Sequence, residues 1–304
     1  MNVLISGASG LVGSELVAFL TQKGHYIKKL VRKEPKPDAN EIKWDPASSE
    51  IEQAALEGLN AVVHLAGENI AGGRWTSERK ALIRESRVQG TRLLSETLAK
   101  LKAPPKVLVS ASAIGFYGDR GDEVLDEESE SGSNFLAEVC QEWEEACEAA
   151  GKKGIRVVNL RIGVVLSAAG GALAKMLLPF KMGVGGVIGS GSQYMSWIAI
   201  ADLVGAIHHA LVNESLNGPV NVVAPNPATN REFTKTLGLV LKRPTIFPMP
   251  AFAARLAFGE MADELLLAST RVEPTKLNSS NYQFQFPELE GALRHVLGRV
   301  GPIS

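Results

Sequence analysis

The chain is poor in cysteine and aromatic residues, nearly balanced in charge, and without a long apolar run. Its two cysteines, Cys140 and Cys147, have no metal-like spacing, which predicts buried thiols in a reducing compartment. The formal net charge of −1 excludes the electrostatic pattern of a nucleic-acid or anionic-membrane binder. No apolar run approaches the ~20 residues that span a bilayer, and the first residues open directly into a core strand, leaving no room for a leader peptide. These absences predict a cytoplasmic protein that binds no nucleic acid, does not insert into a membrane and holds no metal.

A glycine-spaced turn is the most informative feature that is present. The apolar run Val3–Ile5 breaks into Gly7-Ala-Ser-Gly10-Leu-Val-Gly13, and an amphipathic helical pattern follows from Leu11. Glycine lets a backbone approach phosphates closely, and a helix N-terminus favours negative charge. The strand before the turn and the helix after it favour dinucleotide binding over a merely structural turn. The predicted cofactor contacts in this turn are Gly7, Ser9, Gly10, Leu11, Val12 and Gly13.

Strand-like and helical patterns alternate along the chain. The predicted strands are Val3–Ser6, Ile27–Val31, Ala61–Ala66, Val107–Ser112, Val157–Arg161 and Val220–Val223. The predicted helices are Leu11–Lys23, Thr76–Lys100, Phe135–Ala150 and Ala199–Val212, followed by Ala172–Phe180, Arg231–Leu241, Ala251–Phe258 and Leu289–Leu297 in the later part of the chain. Alternation of this kind predicts an α/β fold with a doubly wound parallel sheet and a ligand at the carboxyl ends of its strands.

The sequence pattern changes after Arg161. Residues Gly163–Gly191 are rich in glycine and contain no clean strand, and proline-broken helices follow from Pro225. The strand near Val220 is expected to return to the main sheet. We therefore predict a Rossmann domain of residues 1–165 and about 198–224, with a smaller, discontinuous C-terminal lobe of residues about 166–197 and 225–304.

The end of the second strand carries Arg32 and Lys33. An acidic residue there would accept hydrogen bonds from the adenosine ribose and favour NAD, whereas an arginine suits a 2′-phosphate. The basic pair predicts NADP(H), and the alternative is a solvated surface loop. Trp44 either borders the adenine, with Asp45 near its exocyclic amine, or anchors its segment in the core.

Two further segments bear on the cofactor site. Small residues in Leu65-Ala66-Gly67-Glu68, after the third predicted strand, allow the backbone to pass beneath a ribose and phosphate, while His64 is interpreted as a core histidine. On the predicted helix 76–100, Arg87 either reaches the pyrophosphate or is solvated.

These features resemble the extended short-chain dehydrogenase/reductase superfamily. The matching motifs are Gly7-x-x-Gly10-x-x-Gly13, His64-Leu65-Ala66-Gly67, Ser110-Ala111-Ser112 leading to Phe116-Tyr117-Gly118, and the segment Ser196 to Leu203. Finer motifs, among them Glu68-Asn69-Ile70, Arg74-Trp75, Trp143-Glu144 and Leu178-Pro179-Phe180, are similar to the atypical "epimerase family" branch. That branch has YfcH-like and SDR39U1-like members and includes SulA-like cell-division proteins of cyanobacteria and plastids.

The resemblance implies a Rossmann fold and NADP(H) binding, with Arg32, Leu65, Ala66 and Arg87 as cofactor contacts. The predicted contact set is completed by Lys33, Gly67, Glu68, Ser110, Ala111 and Ile162. In the superfamily a serine polarises the substrate oxygen, a tyrosine exchanges the proton, and a lysine four residues later lowers the pKa of that tyrosine. Ser112 matches the serine. Phe135 and Val139 stand where the tyrosine and the lysine are expected, and the chain contains no other Tyr-x-x-x-Lys.

The missing pair leaves two hypotheses open. In the first, the protein is an NADP(H)-dependent oxidoreductase or epimerase acting on a small carbonyl or sugar-like substrate. Ser112 and Tyr117 are then its candidate catalytic residues, Tyr117 having aromatic packing as the alternative. In the second, it binds the dinucleotide without catalysis, as a scaffold or redox sensor for a protein partner such as a cell-division factor. Neither the substrate nor the oligomeric state follows from the sequence. Met176, Phe180, Met182, Tyr194 and Trp197 form either a substrate surface or a lobe core.

Overall fold

The computed structural model describes residues 1–37 and 39–299 and contains an α/β fold. Its strands are β1 Asn2–Ser6, β2 Tyr26–Val31, β3 Glu41–Asp45, β4 Glu50–Ile51, β5 Ala61–His64, β6 Val107–Ala113, β7 Val124–Leu125, β8 Arg156–Ile162, β9 Val164–Leu166, β10 Tyr194–Met195, β11 Trp197–Ala199, β12 Gly218–Val222, β13 Ala228–Thr229 and β14 Arg271–Val272. Its α-helices are α1 Leu11–Gln22, α2 Ser77–Ala99, α3 Phe135–Glu145, α4 Glu148–Lys152, α5 Gly171–Lys181, α6 Ile200–Val212, α7 Asn230–Leu241, α8 Ala251–Phe258, α9 Thr275–Ser279 and α10 Leu289–Val296.

The main sheet has eight strands in the order β12-β8-β6-β5-β1-β2-β3-β4. Strand β1 pairs in parallel with β2 on one side and with β5 on the other, so the strand order reverses between β1 and β5. The carboxyl ends on the two sides of such a reversal diverge and leave a crevice for a ligand. The predicted doubly wound α/β fold is confirmed, and the glycine-spaced turn begins at this crevice, directly after Ser6.

The six predicted strands are all present in this sheet, including the one near Val220, which returns to it as β12. Strands β3 and β4, the last two on one side of the sheet, lie outside those predictions. Strand β3 alternates charged and apolar residues, and β4 has two residues and pairs antiparallel to β3. A short, half-polar edge strand leaves a weaker sequence pattern than a strand that is covered on both faces.

Two sequence predictions are wrong. Residues Gly163–Gly191 do contain a clean strand, because β9 pairs in parallel with β11 over three residues. The predicted helix Phe135–Ala150 is two helices, α3 and α4, because the chain tightens after Glu145 and the Cys147 N–H donates to the carbonyl three residues earlier.

The chain forms two compact units. Unit 1 comprises Met1–Ser112, Glu138–Leu160 and Ala206–Val220. Its core is built from apolar side chains of the sheet and of the helices that cover it, including Leu4, Leu30, Trp44, Leu94 and Leu108.

Unit 2 comprises Ala113–Ala137, Arg161–Gly205 and the chain from Asn221 onward. Its core includes Leu173, Trp197, Phe233, Leu237 and Leu293. The domain boundaries given above stay a prediction, and their last five residues, 300–304, lie outside the described part of the chain. Within the described residues, no helix combines the length and the apolar character that crossing a bilayer requires.

Candidate functional site

The three glycines of the turn after β1 differ in the space around their Cα atoms. Gly7 has a φ of +69°, and a Cβ atom there would lie 2.8 Å from the Leu65 carbonyl carbon. A Cβ atom on Gly13 would lie 2.1 Å from the Gly7 oxygen, whereas one on Gly10 would lie 3.3 Å from the same oxygen. Gly7 and Gly13 are therefore required for packing. Gly10 is exposed, and its missing side chain leaves the turn open to a ligand.

The N-terminus of α1 follows this turn and has no side-chain cap among the described residues. Its N-cap is Gly10, and its first turn carries no acidic residue. By contrast, Thr76 caps α2 and Thr229 caps α7 through their side-chain oxygens. The first N–H groups of α1 thus remain available, an arrangement that fits an anion such as a pyrophosphate.

Ser6 holds the start of the segment that follows β5. Its hydroxyl oxygen accepts hydrogen bonds from the N–H groups of Leu65 (3.1 Å) and Ala66 (3.3 Å). The same oxygen lies 2.6 Å from Nδ1 of His64. This pairing fixes the backbone next to Gly7, where the sequence predicts the cofactor to pass.

His64 is a core histidine, as interpreted from the sequence, since its side chain is fully buried against the edge of Trp44. Burial lowers the pKa of His64 to about 4, so the imidazole is neutral at physiological pH. Trp44 is 3% exposed, which places it in the core, as one of its two interpretations predicted.

The buried imidazole gives a testable pH dependence. An unfolded histidine takes up a proton near pH 6.5, whereas His64 in the folded protein does so only near pH 4, so stability is complete above the first value and falls as the pH drops between them. We expect the unfolding free energy of the wild type to fall between about pH 7 and about pH 5 by ~2 kcal/mol more than that of His64→Gln. Urea unfolding at the two pH values measures this difference, with exposed His295→Gln as the control. Parallel pH dependences of wild type and His64→Gln would contradict it.

Arg87 fixes the segment after Leu65 to α2. Its guanidinium donates to the carbonyl oxygens of Ile83 and Glu68, each at 3.0 Å, and lies 5.0 Å from the centre of the Trp143 ring. Ser86 accepts a hydrogen bond from the Glu68 N–H at 3.0 Å. Two of the five guanidinium donors of Arg87 are thereby committed to positioning the segment, which is a role that the sequence did not suggest.

Arg32 and Lys33 follow the last residue of β2, at the same edge of the sheet as the glycine turn. Ser6 is in register with Leu30, so the pair lies one to two residues beyond the start of the turn. Both side chains are exposed, and neither makes a hydrogen bond or ion pair with another described residue. The nearby Lys43, in contrast, is paired with Glu34. Two uncompensated cations beside the crevice are suited to a phosphate group.

Ser112 makes a contact that the sequence did not predict. Its hydroxyl is buried and donates to Oε1 of Glu144 at 2.7 Å, from β6 to α3. Ser110 and Ala111, the two preceding residues of β6, are buried as well. Glu144, known from the sequence only as part of the Trp143-Glu144 motif, lies in unit 1 and is the carboxylate partner of the predicted catalytic serine.

The positions of the missing tyrosine and lysine lie on the first turns of α3. Val139 is 1% exposed, so an apolar side chain occupies the place where the superfamily has a lysine. Glu138, the residue before it, is ion-paired with Arg84 at 2.8 Å. Phe135 and Val139 themselves have no protonatable side chain, so neither position replaces the absent pair.

Tyr117 is fully buried in unit 2, and its hydroxyl is saturated by protein groups. The hydroxyl hydrogen is shared between the Asp126 carbonyl (2.8 Å) and Oδ1 of Asn221 (2.7 Å), and the oxygen accepts from Arg161 at 3.0 Å. Burial raises the pKa of Tyr117 to about 12. This geometry favours the packing interpretation of Tyr117 over a role in proton transfer.

The residues predicted to form a substrate surface or a lobe core, and the predicted cofactor contact Ile162, differ in their burial. Phe180 and Trp197 belong to the core of unit 2 and Met176 packs against it, whereas Met182 is exposed. Ile162 ends β8 and is half-buried. Within residues 1–37 and 39–299, no cluster of three or more histidine, cysteine, aspartate or glutamate side chains could hold a metal ion.

Comparisons with known proteins cover almost the whole chain. A family model described as the NAD dependent epimerase/dehydratase family matches residues 3–223, and one described as a domain of unknown function matches residues 249–296. An epimerase family protein of Mycobacterium bovis is 43% identical over 299 residues, which are 98% of this chain and 98% of that protein.

Solved structures are similar as well. The crystal structure of human epimerase family protein SDR39U1 with NADPH has a TM-score of 0.90 and 36% identity, covering 99% of this chain and 100% of that one. The UDP-N-acetylglucosamine 4-epimerase from Bacillus cereus has a TM-score of 0.77 at 16% identity, covers 99% of this chain and 100% of that one, and shows the fold alone.

Proposed function

Because the chain belongs to the NAD dependent epimerase/dehydratase family, as its motifs predicted, we propose that it is an NADP(H)-dependent oxidoreductase or epimerase with an atypical acid–base pair. Its substrate is a small carbonyl or sugar-like compound. Gly7–Gly13 and the N-terminus of α1 would hold the pyrophosphate, and Arg32 and Lys33 would hold the 2′-phosphate. The proposed contacts continue with Leu65, Ala66, Gly67, Glu68, Arg87, Ser110 and Ala111.

The observation that carries the cofactor proposal is the uncompensated basic pair beside the open glycine turn. An NAD-specific site would place a carboxylate there to accept hydrogen bonds from the ribose hydroxyls. Such a carboxylate would repel the 2′-phosphate of NADP(H). Arg32 and Lys33 reverse that preference, since both are exposed and unpaired among the described residues. The human relative at 36% identity was crystallised with NADPH, which supports the same choice.

Equilibrium titration tests the cofactor proposal. NADPH fluorescence and calorimetry should give a Kd at least about tenfold lower for NADPH than for NADH, because a 2′-phosphate gains charge-assisted hydrogen bonds to the basic pair. Equal affinity for the two dinucleotides, or no binding of either, would overturn the proposal.

NADP(H), when bound, supplies hydride transfer at its nicotinamide. The chain must then move a proton, and Ser112 with Glu144 is the pair proposed for it. The Ser112 hydroxyl already donates to Glu144 at 2.7 Å, so its oxygen can take a proton from a substrate hydroxyl while its own proton passes to the carboxylate. In the opposite direction a protonated Glu144 returns the proton through Ser112 to the substrate oxygen. For each proton that the substrate oxygen loses, Glu144 therefore gains one, and Ser112 is left unchanged.

Substitutions at Ser112 and at Glu144 test the proposed proton-transfer pair. With any carbonyl that supports NADPH oxidation, Ser112→Ala and Glu144→Gln should each lower kcat by about 10²-fold or more, the usual range for losing a general acid or base. Glu145→Gln is the matched control, because Glu145 is the exposed neighbour on the same helix. The Kd for NADPH should stay within about twofold in all three variants. Full turnover in Glu144→Gln would exclude the pair.

A second candidate function is dinucleotide binding without catalysis. The observation that favours it is the replacement of the superfamily's tyrosine and lysine by Phe135 and Val139, of which Val139 is buried. In that case NADPH binds tightly and is not oxidised with any of a broad panel of carbonyls, and Gly10→Ala disrupts a protein partnership. A deletion strain with normal division would exclude the cell-division form of this hypothesis.

A further inference from the structure

We infer that unit 2 carries a binding site for an oxyanion, a carboxylate or phosphate group of a small molecule, formed by Arg271 and Tyr194. The two residues lie on neighbouring segments of unit 2. The guanidinium of Arg271 lies 4.9 Å from the centre of the Tyr194 ring, within cation–π range. A π face holds a guanidinium in place without neutralising its charge.

Arg271 differs in this respect from the other arginines of unit 2. Each of the other seven donates a hydrogen bond to a carboxylate, a hydroxyl or a backbone carbonyl: Arg120, Arg161, Arg231, Arg243, Arg255, Arg294 and Arg299. Arg271 makes no hydrogen bond or ion pair with any residue that the structure describes, although its side chain is half-buried. A half-buried guanidinium has five donors, and no described residue supplies an acceptor for any of them.

Tyr194 shows the same pattern among the tyrosines. The hydroxyls of Tyr26, Tyr117 and Tyr282 all donate to protein oxygens. The Tyr194 hydroxyl has no partner within the described chain, and its ring is half-buried. Two polar side chains without protein partners, one charged and one an O–H donor, are therefore brought together. Both would donate to the same kind of acceptor, a negatively charged oxygen.

The backbone beneath the pair is held rigidly. The N–H of Thr270 donates to the Tyr194 carbonyl at 3.2 Å, and the N–H of Tyr194 donates to the Ser269 hydroxyl oxygen at 2.9 Å. Ser196, fully buried, donates to the Thr270 carbonyl at 2.9 Å and accepts from the Val272 N–H at 2.8 Å. These hydrogen bonds fix the backbone positions from which the two side chains extend, and the ring contact holds the guanidinium over Tyr194, so less conformational freedom is lost when an oxyanion binds.

Arginine-selective ¹⁵N NMR of the full chain tests the inference, with inorganic phosphate and acetate as probes. The Nε–H resonance of Arg271 is assigned from its loss in Arg271→Lys. Phosphate or acetate should shift this resonance saturably at concentrations on the order of millimolar, and the resonance of Arg294, which is paired with Glu290, should not follow. The anion with the lower Kd of the two is the preferred class.

Tyr194→Phe distinguishes binding at a specific site from non-specific attraction of an anion to the Arg271 charge. It keeps the ring under the guanidinium and removes only the hydroxyl, so the fold should be retained and the Kd of the probe should rise about tenfold. An Arg271 resonance that shifts no more than that of Arg294, or a Kd unchanged in Tyr194→Phe, would overturn the inference. The Arg271 resonance is measured without NADPH. The test of the anion site therefore stands even if the chain does not bind NADPH at the proposed cofactor site.

Discussion

Replacing Gly13 by alanine is expected to lower the free energy of unfolding by about 3 kcal/mol and to abolish NADPH binding. The added Cβ would lie 2.1 Å from the Gly7 oxygen and 2.8 Å from the Ala8 Cα, both of them backbone atoms. Neither atom can turn aside as a flexible side chain could, so the first turn of α1 must move away from the end of β1. The glycine turn would then lose the geometry on which the proposed cofactor site depends.

Gly10→Ala is expected to separate binding from folding. Its Cβ would lie 3.3 Å from the Gly7 oxygen, so the turn has to yield by a few tenths of an ångström at most. Stability should stay within ~1 kcal/mol of the wild type, while the affinity for NADPH should fall at least about tenfold, because a methyl group stands where the backbone must approach the pyrophosphate.

Urea unfolding and NADPH titration of the same preparations measure both effects. The matched control is Gly291→Ala in α10, where a Cβ meets no atom within 4 Å. It should raise stability by about 0.5–1 kcal/mol, since alanine is the better helix former, and leave binding unchanged. Wild-type stability in Gly13→Ala, or wild-type affinity in Gly10→Ala, would contradict these assignments.

Arg32→Ala is expected to lower the affinity for NADPH about 30-fold and the affinity for NADH less than about twofold. Only NADPH carries the 2′-phosphate, so only its complex loses a charge-assisted interaction. Arg32 is exposed and makes no hydrogen bond or ion pair with a described residue, so its removal should not disturb the fold. Titrations at fixed ionic strength measure the two affinities, because salt screens exposed charges.

Lys43→Ala is the control for this substitution. Lys43 is a nearby cation on β3 whose charge is already paired with Glu34. It should change neither affinity by more than about twofold. An equal loss for NADPH and NADH in Arg32→Ala would show that the arginine acts on the dinucleotide as a whole rather than on its 2′-phosphate.

Local patterns in the sequence were sufficient to predict much of the fold, including the glycine turn after β1. The strand, turn and helix of residues 2–22 are contiguous, so their periodicity and glycine spacing identify them without tertiary information. The helices α7 and α8 begin and end within one residue of their predicted bounds for the same reason. Strand β9 was missed because it has three residues among glycines and pairs with β11, some thirty residues later along the chain.

The acid–base side of the site depends on contacts that a single sequence does not contain. Glu144 lies 32 residues from Ser112 in the chain, and only the packing of α3 near β6 brings the two oxygens to 2.7 Å. The role of Arg87 as a clamp for the segment after Leu65 is likewise tertiary. Tyr117 matched a superfamily motif, but its burial and its saturated hydroxyl follow from unit 2 as a whole.

A double-mutant cycle between Arg32 and the cofactor's 2′-phosphate tests the role of the basic pair. Kd values are measured for wild type and Arg32→Ala, each with NADPH and with NADH, in one buffer of fixed ionic strength. We expect a coupling free energy of about 2 kcal/mol, an ~30-fold change in the ratio of the two affinities. A coupling within ~0.3 kcal/mol of zero would contradict it, because the basic pair after β2 would then have no part in choosing the cofactor.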